Sequence, residues 1–255
     1  MSIVLNEREW AEAAIVSRQL GKKPMETLNR VSRYYYGEGY RKRDIRKKLG
    51  DFLLQCDPGA VLTKWSDTLD KLAGSAGRRP LIKLDCIDIT EAELEVIGSL
   101  EGKQMKRLAF TLLCTAKYWN AVNRSNNGWI NTADKDIMKM ANINTSVRRQ
   151  SAMLYDMKNA GLIRFGKRVD NLNIRVAYIR DDSPAELHIS DFRNLGNQYL
   201  LYCGEAYFQC EQCGLTIKKK GNARKYCQDC AAEMYIKQSV ESVMRQRKQP
   251  ENQAV

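Results

Sequence analysis

The chain has 255 residues, 44% of them hydrophobic, and carries a formal net charge of +12 at pH 7. This length and composition suffice for one to three folded domains and exclude wholesale disorder. No stretch reaches the roughly 18 unbroken apolar residues of a membrane helix, and the amino terminus lacks a signal pattern. We therefore expect a cytoplasmic protein without a membrane partner.

The basic excess is uneven along the chain. Residues 1–80 and 81–180 each carry a net charge of +6, whereas residues 181–255 are neutral overall. A basic surface favours a polyanionic partner, although a solvated basic face is common in proteins that bind none. The distribution predicts phosphate contacts in the first two thirds of the chain and another role for the tail.

Residues 1–77 are predicted to form a basic helical domain. Asn6 and Glu9 resemble a capping box, and Pro24 suits the first turn of a helix. The periodicity and stop signals predict four helices and then a flexible joint: Asn6 to about Leu20, Pro24 to Tyr36, Arg41 to Cys56, Val61 to Ala73, and the joint over Gly74–Pro80.

Three tyrosines precede a basic run in this domain. Residues 34–36 are all tyrosine, and Arg41, Lys42 and Arg43 begin the run. Aromatic rings beside basic side chains can stack on bases and bind phosphates. A solvated helix face beside packed tyrosines explains the pattern equally well, so both interpretations stay open.

The next segment alternates like a strand over 81–89 and then carries a capping box, Thr90 with Glu93, for a helix to about Ile97. The sequence leaves open whether this strand and helix belong to the first or the second domain. Cys56, Cys86 and Cys114 are interpreted as buried structural thiols.

Residues 78–182 are predicted to form a winged helix-turn-helix domain. The predicted order is a helix, a strand, two helices joined by a tight turn, and a two-stranded hairpin. The expected bounds are Lys103 to Asn123, Gly128 to Asn131, Thr132 to Ala141, Ser146 to Ala160, Leu162 to Gly166 and Asn173 to Ile179. Thr132 and Ser146 are the expected N-caps, and Gly161 the expected left-handed stop.

The second helix of the pair is the expected recognition helix. Val147, Ala152, Leu154, Met157 and Ala160 are predicted to form its packed face. The side chains expected to contact nucleic acid stand at its start and in the basic hairpin tip: Asn144, Thr145, Ser146, Arg148, Arg149, Lys167 and Arg168. A domain of this shape that binds protein, or only maintains the fold, is the alternative.

The strongest motif is a double Cys-x2-Cys pattern. Cys210, Cys213, Cys227 and Cys230 can supply four thiolates to one tetrahedral Zn²⁺, which would be structural because no coordination position stays open. Disulfides are less favoured, since nothing indicates an oxidising compartment. A hairpin of Leu215–Ile217 with Arg224–Tyr226 is expected between the pairs.

Flanking segments complete the predicted architecture. Residues 183–202 are expected to be a connector with one short strand, and 203–255 a zinc ribbon followed by a helix from Ala231 to about Lys248. That helix carries Met234, Ile236, Val240 and Val243 on one side and is expected by default to pack on the ribbon. The fold class is therefore mainly α with small β elements.

An enzyme is not expected. The only histidine, His188, is interpreted as a surface strand residue. The chain lacks a Gly-rich phosphate loop ending in Lys-Ser/Thr, a recognisable Ser or Cys nucleophile, and a paired-carboxylate metal pattern.

Several segments resemble a group of winged-helix proteins from phages and integrated mobile elements of Gram-positive bacteria, which often carry carboxy-terminal Cys-x2-Cys pairs. The similar segments, spread over residues 80–230, are 108–119, 127–130, 136–141, 167–176, 189–196 and the cysteine pairs. The resemblance implies a phage or mobile-element origin and a role in replication initiation or transcription regulation.

The predicted function is thus non-enzymatic binding of nucleic acid, duplex DNA first, with one structural zinc and with RNA and a homodimer left open. The alternative is a phage-encoded factor that binds a host protein or ribonucleoprotein of transcription, replication or defence, for example an anti-CRISPR inhibitor.

Overall fold

The computed structural model describes residues 3–166, 173–221 and 224–248. Within these residues the protein is mainly helical, with three small antiparallel sheets. None of the described helices is long and apolar enough to cross a membrane. The coarse fold class is therefore as predicted.

The first four helices form a core of their own. They are α1 (Glu7–Ser17), α2 (Pro24–Gly37), α3 (Lys42–Cys56) and α4 (Leu62–Ser75), close to the predicted bounds. Asn6 caps α1 by accepting a hydrogen bond from the Glu9 backbone N–H at 3.2 Å. Leu28, Ile45, Leu49 and Leu69 are buried between these helices.

The predicted flexible joint is wrong over its first half. α4 continues to Ser75, and Ala76–Arg78 form a 3-10 turn. Ala76 is buried in the helical core. A Cβ atom on Gly77 would lie 2.5 Å from the Tyr36 ring, so a larger residue there would require the exposed Tyr36 side chain to move.

A buried ion network joins α1 and α2 to the segment that follows. Glu7 is 1% exposed, and its carboxylate accepts hydrogen bonds from Arg30 and Arg33. The Ile82 backbone N–H donates to the same carboxylate at 2.9 Å. Arg33 also donates to the Pro80 carbonyl at 3.3 Å. One side chain of α1 therefore anchors both the second helix and the chain beyond the fourth.

After the four helices, two strands that are distant in the sequence form a small sheet: β1 (Ile87–Thr90) and β5 (Ala185–Ile189). α5 (Glu91–Gly98) follows β1 directly. β1 is much shorter than the strand predicted over 81–89. β1 pairs antiparallel with β5. The Thr90–Glu93 capping box is confirmed, because both reciprocal hydrogen bonds are present.

The central unit contains a long helix, two short helices and a three-stranded sheet. Its elements are α6 (Lys103–Val122), β2 (Trp129–Ile130), α7 (Asp134–Met140), α8 (Val147–Asn159), β3 (Ile163–Phe165) and β4 (Ile174–Val176). The sheet is antiparallel in the order β2-β4-β3. Gly161 adopts a φ of +74° after α8, as predicted for a left-handed stop.

Three local predictions in this unit are wrong. Thr132 is not an N-cap: α7 begins at Asp134 after Ala133, and the Thr132 hydroxyl instead accepts a hydrogen bond from the Trp119 indole at 2.9 Å. Val147 was expected on the packed face of α8 but is 77% exposed. Val147 is the first residue of the helix and precedes the turn that meets the core, which Met153, Leu154 and Met157 enter instead. Ala160 was expected on the same face but is exposed, because it follows the last residue of the helix.

α6 is the centre of the main core. All nine consecutive residues from Leu108 to Ala116 are buried, and so is Tyr118. The segment expected to be a connector contributes to the same core through β5 and α9 (Leu195–Tyr202), with Ile189, Phe192, Leu195, Tyr199 and Leu200 buried. The segment 183–202 is thus part of the main core around α6 and not a separate connector.

The last unit consists of β6 (Tyr207–Gln209), β7 (Thr216–Lys218) and α10 (Gln228–Lys248). The predicted hairpin is wrong, because β7 pairs with β6, the strand before the first cysteine pair, and Arg224–Tyr226 form no strand. The Glu211 N–H donates to the Lys225 carbonyl at 3.1 Å, which helps to join the two cysteine-bearing loops.

α10 does not pack along the ribbon as expected. Ile236, Val240, Val243 and Met244 are each about half exposed or more. The ribbon's small cluster consists of the four cysteines with Leu215, Ile217 and Tyr226, and it contains no side chain from α10 beyond Cys230. The apolar side of this helix is therefore open in the chain as described.

Candidate functional site

The four paired cysteines converge on one point. The sulfurs of Cys210, Cys213, Cys227 and Cys230 all lie within 4.8 Å of one another, and Cys213 and Cys227 are 3.8 Å apart. Four thiolates about 2.3 Å from a tetrahedral metal stand about 3.8 Å from each other. The cluster therefore has the dimensions of a metal site.

Local backbone geometry prepares these sulfurs. The Cys227 N–H donates to the Cys210 sulfur at 3.2 Å, and the Cys230 N–H donates to the Cys227 sulfur at 3.4 Å. Burial opposes ionisation of the Cys210 thiol, but backbone N–H donors from Cys227, Cys213 and Gln212 lower its pKa to about 6. These backbone donors therefore favour the thiolate form of Cys210, the form that binds a metal.

Two of the other thiols, Cys213 and Cys230, resist ionisation in the absence of a cation. Hydrogen bonding to the Cys227 sulfur, followed by burial, raises the pKa of the Cys230 thiol, and burial raises that of Cys213. A bound divalent cation would reverse this preference and release protons. The ribbon's only described buried cluster is built on Cys210, Cys227 and Cys230 themselves, so little apolar packing replaces a metal there.

The ribbon is docked on α9 by polar contacts. The Asn197 side chain, 4% exposed, donates to the Thr216 carbonyl at 3.1 Å and accepts from the Asn142 amide at 2.9 Å. Arg193 donates to the Cys213 carbonyl at 2.5 Å. Asn197 thereby connects β7 of the ribbon with the turn between α7 and α8.

That turn is also held from α6. The Arg107 guanidinium donates to the Ala141 carbonyl at 2.7 and 2.9 Å and to the Asn142 carbonyl. Asn142 has a φ of +53°, which an asparagine tolerates better than most residues. The start of α8 is therefore positioned by α6 and α9 together.

The amino-terminal end of α8 presents basic side chains to solvent. Asn144, Ser146, Arg148 and Arg149 are exposed. The Ser146 hydroxyl accepts from the Arg149 N–H at 3.4 Å, which confirms Ser146 as the N-cap. The Thr145 hydroxyl is buried and without a partner among the described residues, so it is shielded from a ligand. No described acidic side chain forms an ion pair with Arg148 or Arg149.

A second group of basic residues was missed by the sequence analysis. Arg124, Arg164 and Arg175 line a cleft of about 640 Å³ beside the three-stranded sheet, with Asp181 as the single acidic lining residue. Arg164 and Arg175 are direct cross-strand partners. Like charges placed opposite each other destabilise a sheet unless an anion offsets them. The sequence alone could not place these two arginines opposite each other, because their pairing depends on the register between β3 and β4.

Part of the basic run in the first domain makes contacts within that domain. Arg41, Lys42 and Arg43 are exposed at the start of α3. Lys48 lies over the Tyr35 and Tyr40 rings at 5.3 and 4.3 Å, and Arg46 pairs with Asp70. These contacts occupy part of the run within the domain. Lys167 and Arg168, the predicted wing contacts, lie outside the described residues.

No family model, curated protein or solved structure matches this chain. The resemblance to phage and mobile-element proteins therefore stays a prediction, and the candidate sites are argued from their residues.

Proposed function

We propose that this chain is a non-enzymatic DNA-binding protein, with a winged helix-turn-helix at residues 103–180 and a ribbon that holds one structural Zn²⁺. Phage or mobile-element origin, and a role in replication initiation or transcription regulation, belong to this proposal and rest on the resemblance. The four-sulfur set, with its tetrahedral spacing and no open position, supports Zn²⁺ as a fold-stabilising ion.

Two features of the fold support the winged-helix part. The order α6, β2, α7, α8, β3, β4 and the sheet order β2-β4-β3 agree with the order expected of a helix-turn-helix followed by a hairpin wing, which supports the proposal. Such domains place the second helix of the pair in the major groove and the hairpin along the backbone. Under this proposal, α8 would enter the groove and the β3–β4 pair would lie along the backbone.

The observation that carries the proposal is the exposed basic charge at two places in this unit. Arg148 and Arg149 extend from the start of α8 without an acidic partner in the described chain. Arg124, Arg164 and Arg175 line the cleft beside the three-stranded sheet, where Arg175 also donates to the Asn127 carbonyl at 2.9 Å. Arginines collected against their mutual repulsion indicate an anionic ligand with closely spaced charges. The phosphates of duplex DNA meet that description.

A fluorescence-anisotropy titration with random duplex DNA at two salt concentrations tests this proposal. The zinc-loaded chain should bind in a salt-sensitive manner. Arg148→Ala/Arg149→Ala should weaken binding and reduce the slope of log K against log salt by up to about 2, since each lost phosphate contact contributes about 0.9.

The matched control removes the same charge elsewhere. Arg8 and Lys103 are exposed and already paired, with Glu38 and Glu205 respectively. Arg8→Ala/Lys103→Ala should keep most of the salt slope. An Arg148/Arg149 variant that binds like the wild type, or a wild type that fails to bind at low salt, refutes the assignment.

A protein-interaction factor is the second candidate, favoured by one observation. Ile236, Val240 and Val243 lie at i, i+4 and i+7 on α10 and are exposed. If this candidate is right, a nuclease-treated pull-down should retain one host partner, and Val240→Glu should abolish that retention.

A further inference from the structure

The outer face of the β1–β5 sheet collects three potential metal ligands. Side chains alternate between faces along a strand, and Ile87 and Ile89 point into the core, where both are buried. Cys86 and Asp88 therefore share the opposite face. His188 is the cross-strand partner of Asp88, so it joins them there.

The three ligand atoms are close together. The Cys86 sulfur is 3.4 Å from Asp88 Oδ1, and His188 Nδ1 is 2.6 Å from the same oxygen. All three atoms lie within 4.8 Å of one another. His188 is the chain's only histidine, and Cys86 is half-buried rather than the buried thiol that the sequence suggested.

We propose that Cys86, Asp88 and His188 form a second Zn²⁺ site, separate from the four-cysteine ribbon. A thiolate, an imidazole and a carboxylate are the three ligand types that zinc takes in proteins, and three protein ligands leave one tetrahedral position for water or another small ligand. Hard cations such as Mg²⁺ and Ca²⁺ prefer oxygen ligands alone and match this set poorly.

The measured separations fit this ion after a small movement. Zinc–ligand bonds of about 2.0 Å to oxygen and nitrogen and about 2.3 Å to sulfur imply ligand-to-ligand separations of about 3.3–3.5 Å. The sulfur–oxygen distance already has that value. The imidazole needs to withdraw from Asp88 by less than an ångström, which its exposed position on β5 allows, since the His188 side chain is 65% exposed.

A surface ion pair between Asp88 and His188 explains less of this arrangement. Such an exposed pair contributes about 0–1 kcal/mol and requires no thiol. Here the thiol, from the residue that precedes β1, completes a set of three converging atoms, and the other two are held by β1 and β5. A metal at this point would also fasten together two strands whose ligands are 100 residues apart.

The test is the zinc content of the full chain, equilibrated at micromolar free Zn²⁺, desalted and measured by mass spectrometry. The wild type should hold two zinc ions per chain. His188→Asn should hold one, and Cys86→Ser should agree with it. Cys56→Ser, which removes another half-buried thiol outside the proposed site, should keep two.

His188→Asn is the decisive variant because the exposed ring leaves the core untouched. Its zinc-loaded form should also gain less thermal stability from added Zn²⁺ than the wild type, by the mass-action effect of ligand binding. Equal zinc content and equal zinc-dependent stabilisation in the wild type and His188→Asn overturn the proposal.

Discussion

Replacement of Glu7 by alanine is expected to be among the most destabilising single changes in the first domain. The Glu7 carboxylate accepts hydrogen bonds from Arg30 at 3.2 Å and from Arg33 at 2.7 and 2.8 Å. It also accepts the Ile82 N–H at 2.9 Å. Arg30 is only 2% exposed and Arg33 only 9%. Water therefore cannot easily replace the lost carboxylate.

The expected loss follows from this burial. Removing one partner of a buried ion pair costs about 3–5 kcal/mol, because the remaining charge keeps its desolvation penalty without the compensating attraction. Glu7→Gln should cost less than Glu7→Ala, since the amide oxygen still accepts one of the bonds. The comparison of Glu7→Gln with Glu7→Ala thereby separates the effect of the lost charge from the effect of the lost hydrogen bonds.

Urea unfolding followed by far-UV circular dichroism measures the effect. Glu12→Ala is the matched control: Glu12 lies on the same helix and pairs with Arg8 at 3.2 Å in an exposed position. It should leave the urea midpoint nearly unchanged. A Glu7→Ala variant that loses less than about 1 kcal/mol would show that the network is not a main support of this domain.

Three further predictions concern packing, metal and pH. A Cβ atom at Gly196 would lie 2.2 Å from the Ala141 carbonyl oxygen, so Gly196→Ala should lower the free energy of unfolding, measured by urea denaturation, by about 1–3 kcal/mol. Gly98→Ala is the control and should not destabilise the protein, because the space around Gly98 is open. A zinc chelator should make the ribbon sensitive to protease while the helices of the main core stay resistant. If the ribbon and the main core became protease-sensitive together, the cysteine cluster would not be an independent folding unit. Burial raises the pKa of Tyr178, whose hydroxyl donates to the Ala109 carbonyl at 2.7 Å. Its stability contribution should therefore be present below pH of about 10 and lost above it, more steeply in the wild type than in Tyr178→Phe; parallel urea-midpoint curves would refute this.

Signals confined to a few neighbouring residues were read correctly from the sequence. The caps at Asn6, Thr90 and Ser146, and the left-handed stop at Gly161, depend on hydrogen bonds within one turn. Helix ends therefore came out within a few residues. The cysteine cluster was likewise predictable, because two Cys-x2-Cys loops bring sulfurs together by local geometry.

Features that depend on distant partners were not predictable. Thr132 could have capped α7, but Trp119 from the preceding helix competes for its hydroxyl. β7 pairs with β6, and both strands contact α9, a tertiary arrangement that no local pattern around the cysteines indicates. The Arg164–Arg175 pair and the Asp88–His188 pair each require a strand register that no local pattern specifies.

The β1–β5 sheet has a consequence for how this chain is made. During translation β1 leaves the ribosome well before β5, because paired residues such as Asp88 and His188 are 100 positions apart. The first four helices share a core of local contacts and can fold while the rest is still being synthesised. The edge of β1 stays unpaired until β5 has been synthesised. Pairing of β1 with β5 then closes a loop of about 100 residues, which is a slow step. Nascent chains stalled between residues 100 and 180 should therefore be the most dependent on chaperones.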